Sequence, residues 1–281
     1  MILPDTDTTQ PLPLGKRETR SQGSSSMNVG GNNPVTLAAS RPLYGRVVQL
    51  IDATPEIRIV RLQVVHGGAF RFRAGQYARV TFGTCRPRDY SLANRPDDPI
   101  LEFHVRHEGG GGASAHVART LREGDGVWVD GPFGDAWWRP EHDGPVLAVA
   151  GGTGLAPIRS IVETALGLGF RNVMHIYIGA RRERDIYLED HFRMLVRRHP
   201  SVRLHVLLSD PGVPPHRRRG TLVDAIEADV QAIAGLKAYL AGPPAMIGAL
   251  TSALTAKGLS PDDIHADRPH PLAAAAVRSA G

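Results

Sequence analysis

Cysteine is nearly absent from this chain: Cys85 is the single one in 281 residues. One thiol excludes an internal disulfide framework, and it excludes a four-cysteine zinc or iron–sulfur site made from these residues alone. No metal site is expected. Long apolar runs are missing too. No stretch approaches the ~20 residues of a membrane span, and the polar N-terminus lacks the hydrophobic core of a secretory signal. A soluble, cytoplasmic protein without membrane contact is therefore expected. A formal charge of +5 suits nucleic acid, a membrane surface or an acidic protein partner, and the lack of basic segments interleaved with aromatics argues against the first. No internal repeat is apparent.

What is present is ample for a large core. With 42% hydrophobic and 22% charged residues, the chain is globular and long enough for two domains. Residues 1–40 are rich in Pro, Thr, Ser, Gly and Asn, a composition expected to stay disordered. From Tyr44, short runs such as GRVVQLI, EIRIVRLQVV, QYARVTF, ILEFHVR and GVWVD alternate with turn signals, which predicts an antiparallel β-barrel or sandwich over 41–143 with one brief helix. After Gly144 the rhythm becomes strand and helix in turn: PVLAVA and a helix from about 156, NVMHIYI and a helix from about 187, VRLHVLL with TLVDAIEADV, KAYLA with a helix from about 244, then DIHAD. That alternation predicts a doubly wound parallel sheet over 144–270, followed by a short tail at 271–281.

The segment VLAVAGGTGLAPIRS, residues 146–160, is a buried strand breaking into glycines before a helix, which offers backbone N–H groups to a phosphate. It is not the standard dinucleotide fingerprint, because Pro157 stands where the third glycine of G-x-G-x-x-G belongs. In RDYSLAN, residues 88–94, Arg88 and Tyr90 lie two apart, so on an extended segment both face one way and Asp89 the other. A guanidinium beside an aromatic ring suits a phosphate next to a flat ring system. In GGGGAS, residues 109–114, Ser114 is a candidate helix N-cap beside an anion site.

RDYS resembles the R-x-Y-[ST] flavin signature of the ferredoxin–NADP⁺ reductase superfamily. Five further segments agree in order: FRAGQY (72–77), GGGGAS (109–114), GPFG (131–134), GGTGLAP (151–157) and AGPPAM (241–246). The likeness spans residues 43–270 and is greatest to the reductase components of bacterial aromatic-ring oxygenases, here without their iron–sulfur domain. It implies an antiparallel FAD-binding barrel followed by an NAD(P)-binding α/β domain. It also implies that Arg88, Asp89, Tyr90, Ser91, His104, Val105, Arg106, Gly111, Gly112, Ala113 and Ser114 contact FAD. Gly152, Thr153, Gly154, Pro157, Arg181, Arg182, Gly242, Pro243, Pro244 and Met246 are then expected at the nicotinamide coenzyme, with Pro157 starting its helix. Tyr90, Ser91 and Asp267 are the implied catalytic residues, Ser91 reaching the flavin N5 region.

The same resemblance marks two departures. The relatives usually have Cys-Gly where this chain has Ala241-Gly242, and they commonly end in an aromatic lid, which here is missing or replaced by His270. The expected activity is hydride transfer from NAD(P)H to FAD, with NADH preferred and NADPH possible, then delivery of single electrons to a separate ferredoxin-like or oxygenase partner. A reductase of free flavin and a non-catalytic flavin-binding electron-transfer subunit are the alternatives.

Overall fold

The computed structural model describes residues 42–107 and 109–267; His270 and both expected tails lie outside them. The first half is antiparallel. Strands β1 (Leu43–Asp52), β2 (Ile57–His66), β3 (Tyr77–Phe82), β4 (Arg88–Ser91), β5 (Ile100–Arg106) and β6 (Gly126–Phe133) form one sheet in the order β4-β3-β6-β1-β2-β5. A bridge between Leu92 and Phe103 brings the two edges together, so the sheet nearly closes into a barrel. Alternation along the strands explains this: Val47, Val60, Leu62, Val80, Phe82, Phe103, Val127 and Val129 all turn inward to one core. Helix α1 (Ala113–Arg119) seals that core with Ala113 and Val117.

The second half is parallel. Strands β7 (Val146–Gly151), β8 (Met174–Ala180), β9 (Val202–Leu208), β10 (Arg218–Arg219), β11 (Lys237–Ala241) and β12 (Ile264–Ala266) are ordered β10-β9-β8-β7-β11-β12. Helices α2 (Leu155–Gly167), α3 (Glu189–Arg198), α4 (Leu222–Asp229) and α5 (Pro244–Ala256) connect them. Strand β7 is buried along its whole length because helices cover both faces, as an unbroken apolar run in a parallel sheet requires. The chain leaves β7 toward β8 on one side and returns to β11 on the other, which creates the crevice at the strands' carboxyl ends where such sheets bind ligands.

The two sheets share one seam. Ile57 and Ala74 from the barrel half belong to the same core as Ile158, Ile161 and Val162 of α2, and the Trp138 amide donates to the Ala74 carbonyl at 2.8 Å. Trp138 is buried, edge-on to Phe170, whereas Trp137 lies between the guanidiniums of Arg73 and Arg139 at 4.0 and 3.4 Å from its centroid. Buried Ser160 Oγ donates to the Asn94 carbonyl at 2.6 Å. Helix α3 starts at Glu189, two residues after the expected position, because Tyr187 turns into the seam before the helix begins.

Candidate functional site

On β4 the pairing Val80↔Arg88 and Ala78↔Tyr90 sets Arg88 and Tyr90 on one face of the strand. Arg88 is exposed and is in no ion pair among the described residues. Tyr90 packs edge-on against Phe82, with centroids 5.8 Å apart. Burial pushes its phenol up to about 12, so the half-buried ring stays neutral. Asp89 pairs with Arg79 at 3.0 Å on the other face, where it braces β3 against β4. The glycine run at 109–112 faces open space. Gly112, at φ 85, is the residue that caps α1, so the expected Ser114 cap is corrected: Ser114 sits inside the first turn and caps nothing. The positive-φ glycine starts the helix two residues early.

Ser91 Oγ donates to Asp267 Oδ2 at 2.9 Å, a contact across 176 positions of sequence. Strand β12 delivers Asp267 there, its amide bonded to the Leu240 carbonyl at 2.9 Å. Burial raises the Asp267 carboxyl above the ordinary aspartate value; the Ser91 hydrogen bond opposes this, and Asp135 and Asp89 add to it. A hydroxyl and a carboxyl whose pKa burial raises thus meet where barrel and parallel sheet join.

A cleft of about 940 Å³ opens at the carboxyl ends of β7, β8, β9 and β11. Its floor is backbone: Gly151, Gly152, Gly179 and Gly220, with Pro243 and Met246 at the far wall. Gly152 has φ +57, which a side chain would strain. At Gly154 a Cβ would stand 2.2 Å from the Ala241 carbonyl oxygen, so only glycine lets the turn close on β11. Thr153 shares that 3-10 turn, and Pro157 lies in the first turn of α2, where no amide partner is needed. Gly242 lies against Met246 and Gly151, and Pro244 opens α5. Concavity and bare amides fit a dinucleotide pyrophosphate.

Arg181 lines this cleft. Arg182 does not: it is bound to Asp210 at 2.6 Å and exposed. Arg106 forms a two-nitrogen contact with Glu56, at 2.7 and 3.2 Å, on the cleft wall. The side chains of His104 and Val105 are directed inward, Val105 into the barrel core and His104 into a buried polar cluster, so only their backbone can meet a cofactor. His104 Nε2 is 3.0 Å from Glu102 Oε1, and Nδ1 is 3.0 Å from the Tyr187 hydroxyl. Sequence reading missed Glu56, Glu102, Arg159 and Tyr187. It also missed Thr221, which caps α4 through a reciprocal pairing with Asp224 and lines the cleft; its T-x-x-D pattern was a visible signal. Among the described residues no group of three His, Cys, Asp or Glu could hold a metal ion, and no helix is long and apolar enough to cross a membrane.

Residues 45–138 match the oxidoreductase FAD-binding domain family, and residues 148–252 match the oxidoreductase NAD-binding domain family. The chain is 37% identical over 249 residues to the ferredoxin–NAD(P)(+) reductase component of the naphthalene 1,2-dioxygenase system of Pseudomonas putida, covering 89% of this chain and 75% of that one. It is 39% identical over 240 residues to the corresponding component of the naphthalene 1,2-dioxygenase/salicylate 5-hydroxylase systems of Ralstonia sp., covering 85% and 73%. Its fold is similar to that of the Amycolatopsis cytochrome P450 reductase GcoB, with a TM-score of 0.75 and 34% identity over 81% of this chain and 69% of that one.

Proposed function

The chain belongs to the family of FAD- and NAD-binding ferredoxin–NAD(P)⁺ reductase components, and from that premise we propose how its residues serve the reaction. It is a flavoprotein reductase that takes hydride from NAD(P)H and passes single electrons to a separate ferredoxin or oxygenase component. FAD supplies the conversion from a two-electron donor to a one-electron output. Arg88 binds the flavin phosphate and Tyr90 lies along its ring. The glycine run before α1 admits the flavin pyrophosphate, and the Gly152 turn admits that of the coenzyme. Ser91 and Asp267 would lie beside the flavin N5 position, the Ser91 hydroxyl donating to the Asp267 carboxyl; this pairing is the observation that carries the assignment. NADH is the preferred coenzyme, because Arg182 is engaged by Asp210 outside the cleft and so is not offered to a 2′-phosphate. Location in the cytoplasm, with the cell's NADH, completes the proposal.

The test is spectroscopic. The purified protein is yellow, and anaerobic NADH bleaches it. A ferredoxin from the same organism is reduced faster than free FMN, with a rate that falls steeply as salt screens the +5 charge over ~8–10 Å. A colourless protein that takes up no FAD removes the assignment. Equal rates with free FMN make it a flavin reductase instead.

A further inference from the structure

Between the barrel and the coenzyme cleft runs a buried polar chain that the reaction as described leaves unused. Glu102 on β5, with 3% side-chain exposure, receives Arg61 Nε at 2.6 Å, His104 Nε2 at 3.0 Å and a guanidinium nitrogen of Arg159 from α2. Burial works to raise its pKa, but the His104 hydrogen bond and the charges of Arg159 and Arg61 hold it down at about 2. Glu102 is therefore a carboxylate and only accepts. His104 Nε2 must carry the proton it donates. Burial holds His104 below its ordinary value against the pull of Glu102, and in a neutral imidazole Nδ1 is then an acceptor. The Tyr187 hydroxyl is the donor to it, 3.0 Å away.

That same hydroxyl is 3.4 Å from the carbonyl oxygen of Gly152. One proton facing two acceptors makes a three-centre bond, short to the barrel and long to the turn. A second, independent feature marks Tyr187. Its neighbour Leu188 has φ 58 and is the only non-glycine residue at positive φ among those described, a conformation that side-chain-bearing residues rarely adopt and that clusters where structure serves function. Leu188 is retained there by packing against the core shared by the two sheets, and the bend it makes delivers Tyr187 into the seam.

We propose that Tyr187 is a positioning residue for the coenzyme turn. Its hydroxyl, held by His104 and Glu102 of the barrel, fixes the Gly152 carbonyl and with it the turn that receives the pyrophosphate, so coenzyme and flavin are kept at one separation. This rests on reading the chain as an NAD(P)H-dependent flavin reductase.

Tyr187→Phe removes the hydroxyl alone. In the anaerobic FAD-loaded protein the limiting rate of flavin reduction at saturating NADH falls about five- to tenfold, while dithionite reduces the flavin at the native rate. Deuterium exchange of the amides at 152–155 rises. Tyr177→Phe deletes a hydroxyl that donates to Asp229 at 2.9 Å in the other core of the parallel sheet, and it leaves both readouts native. A Tyr187→Phe protein with native exchange and an NADH rate within about twofold of native overturns the proposal, as does an equal loss in Tyr177→Phe. Should Tyr187→Phe not be recovered folded, His104→Phe, which removes both ring nitrogens, must show the same selective loss, and native behaviour there overturns the proposal equally. If the native protein bound FAD but ignored NADH, the functional reading would fall, and the exchange comparison would still decide the role of Tyr187.

Discussion

At the proposed flavin site Arg88, Tyr90 and Ser91 offer side chains, whereas the cleft is lined by the backbone of Gly151, Gly152, Gly179 and Gly220. The two faces therefore have opposite sensitivities. Removing atoms damages the first, since hydrogen bonds and a stacking surface are lost. Adding atoms damages the second, since its shape exists only because Cβ atoms are missing. Between them, the seam around Glu102 belongs to neither class: its side chains satisfy one another, and truncating one leaves a buried polar or charged partner unpaired.

The sharpest way to break this contrast is Gly154→Ala. The added methyl would meet the Ala241 carbonyl oxygen at 2.2 Å, a backbone clash that can be relieved only by parting the turn from β11. NADH-dependent flavin reduction should fall by at least about 100-fold with flavin content intact; stopped-flow and absorbance measure the two, and joint loss of both would show that the faces are not separable. Next is the seam. Glu102 is held at about 2 against an ordinary 4.5, and a lowered carboxylate contributes stability that is present above pH 4.5 and lost as pH falls toward 2, here about 3 kcal/mol. Urea titrations should therefore find Glu102→Gln much less stable than native at pH 6, with the gap narrowing by pH 3. A constant gap would mean that Glu102 is not the ionised centre of the cluster.

Arg88→Ala comes third: loss of a charge-assisted contact of about 1.5–3 kcal/mol weakens FAD binding roughly 10- to 150-fold with unchanged thermal unfolding of the apoprotein. Titration with FAD checks it, and native affinity would mean that Arg88 points away from the ligand. The smallest effect is expected at Arg182→Thr. Because its guanidinium is engaged by Asp210 outside the cleft, the ratio of kcat/KM for NADH and NADPH should move by less than about threefold, whereas Arg181→Thr, on the cleft wall, should move it more.

Much of this was legible in order along the chain. Alternating apolar residues marked the barrel strands, the unbroken run VLAVA marked a strand covered on both faces, and the glycine turn after it marked the cleft. Contacts between distant segments were not legible. Ser91 and Asp267 were each expected at the site, yet nothing in either segment announces a hydrogen bond spanning 176 positions. His104 was expected at FAD only through the family resemblance, and its burial depends on Glu102, Arg159 and Tyr187 arriving from three separate elements. Ser114 had the right chemistry for a cap, but Gly112 could adopt the φ that the turn needed.

The shared core along α2 bears on how such a protein can be recombined. Ile158, Ile161 and Val162 pack with Ile57 and Ala74, while Arg159 and Ser160 on the same helix reach Glu102 and Asn94. A chimera joined between β6 and β7 would thus cut the chain where it is thinnest but divide the interior where it is thickest. Grafting a foreign coenzyme half onto this barrel requires that α2 keep Ile158, Arg159, Ser160 and Ile161, because the core along α2 is shared, whereas the barrel and the far side of the parallel sheet each keep a core of their own.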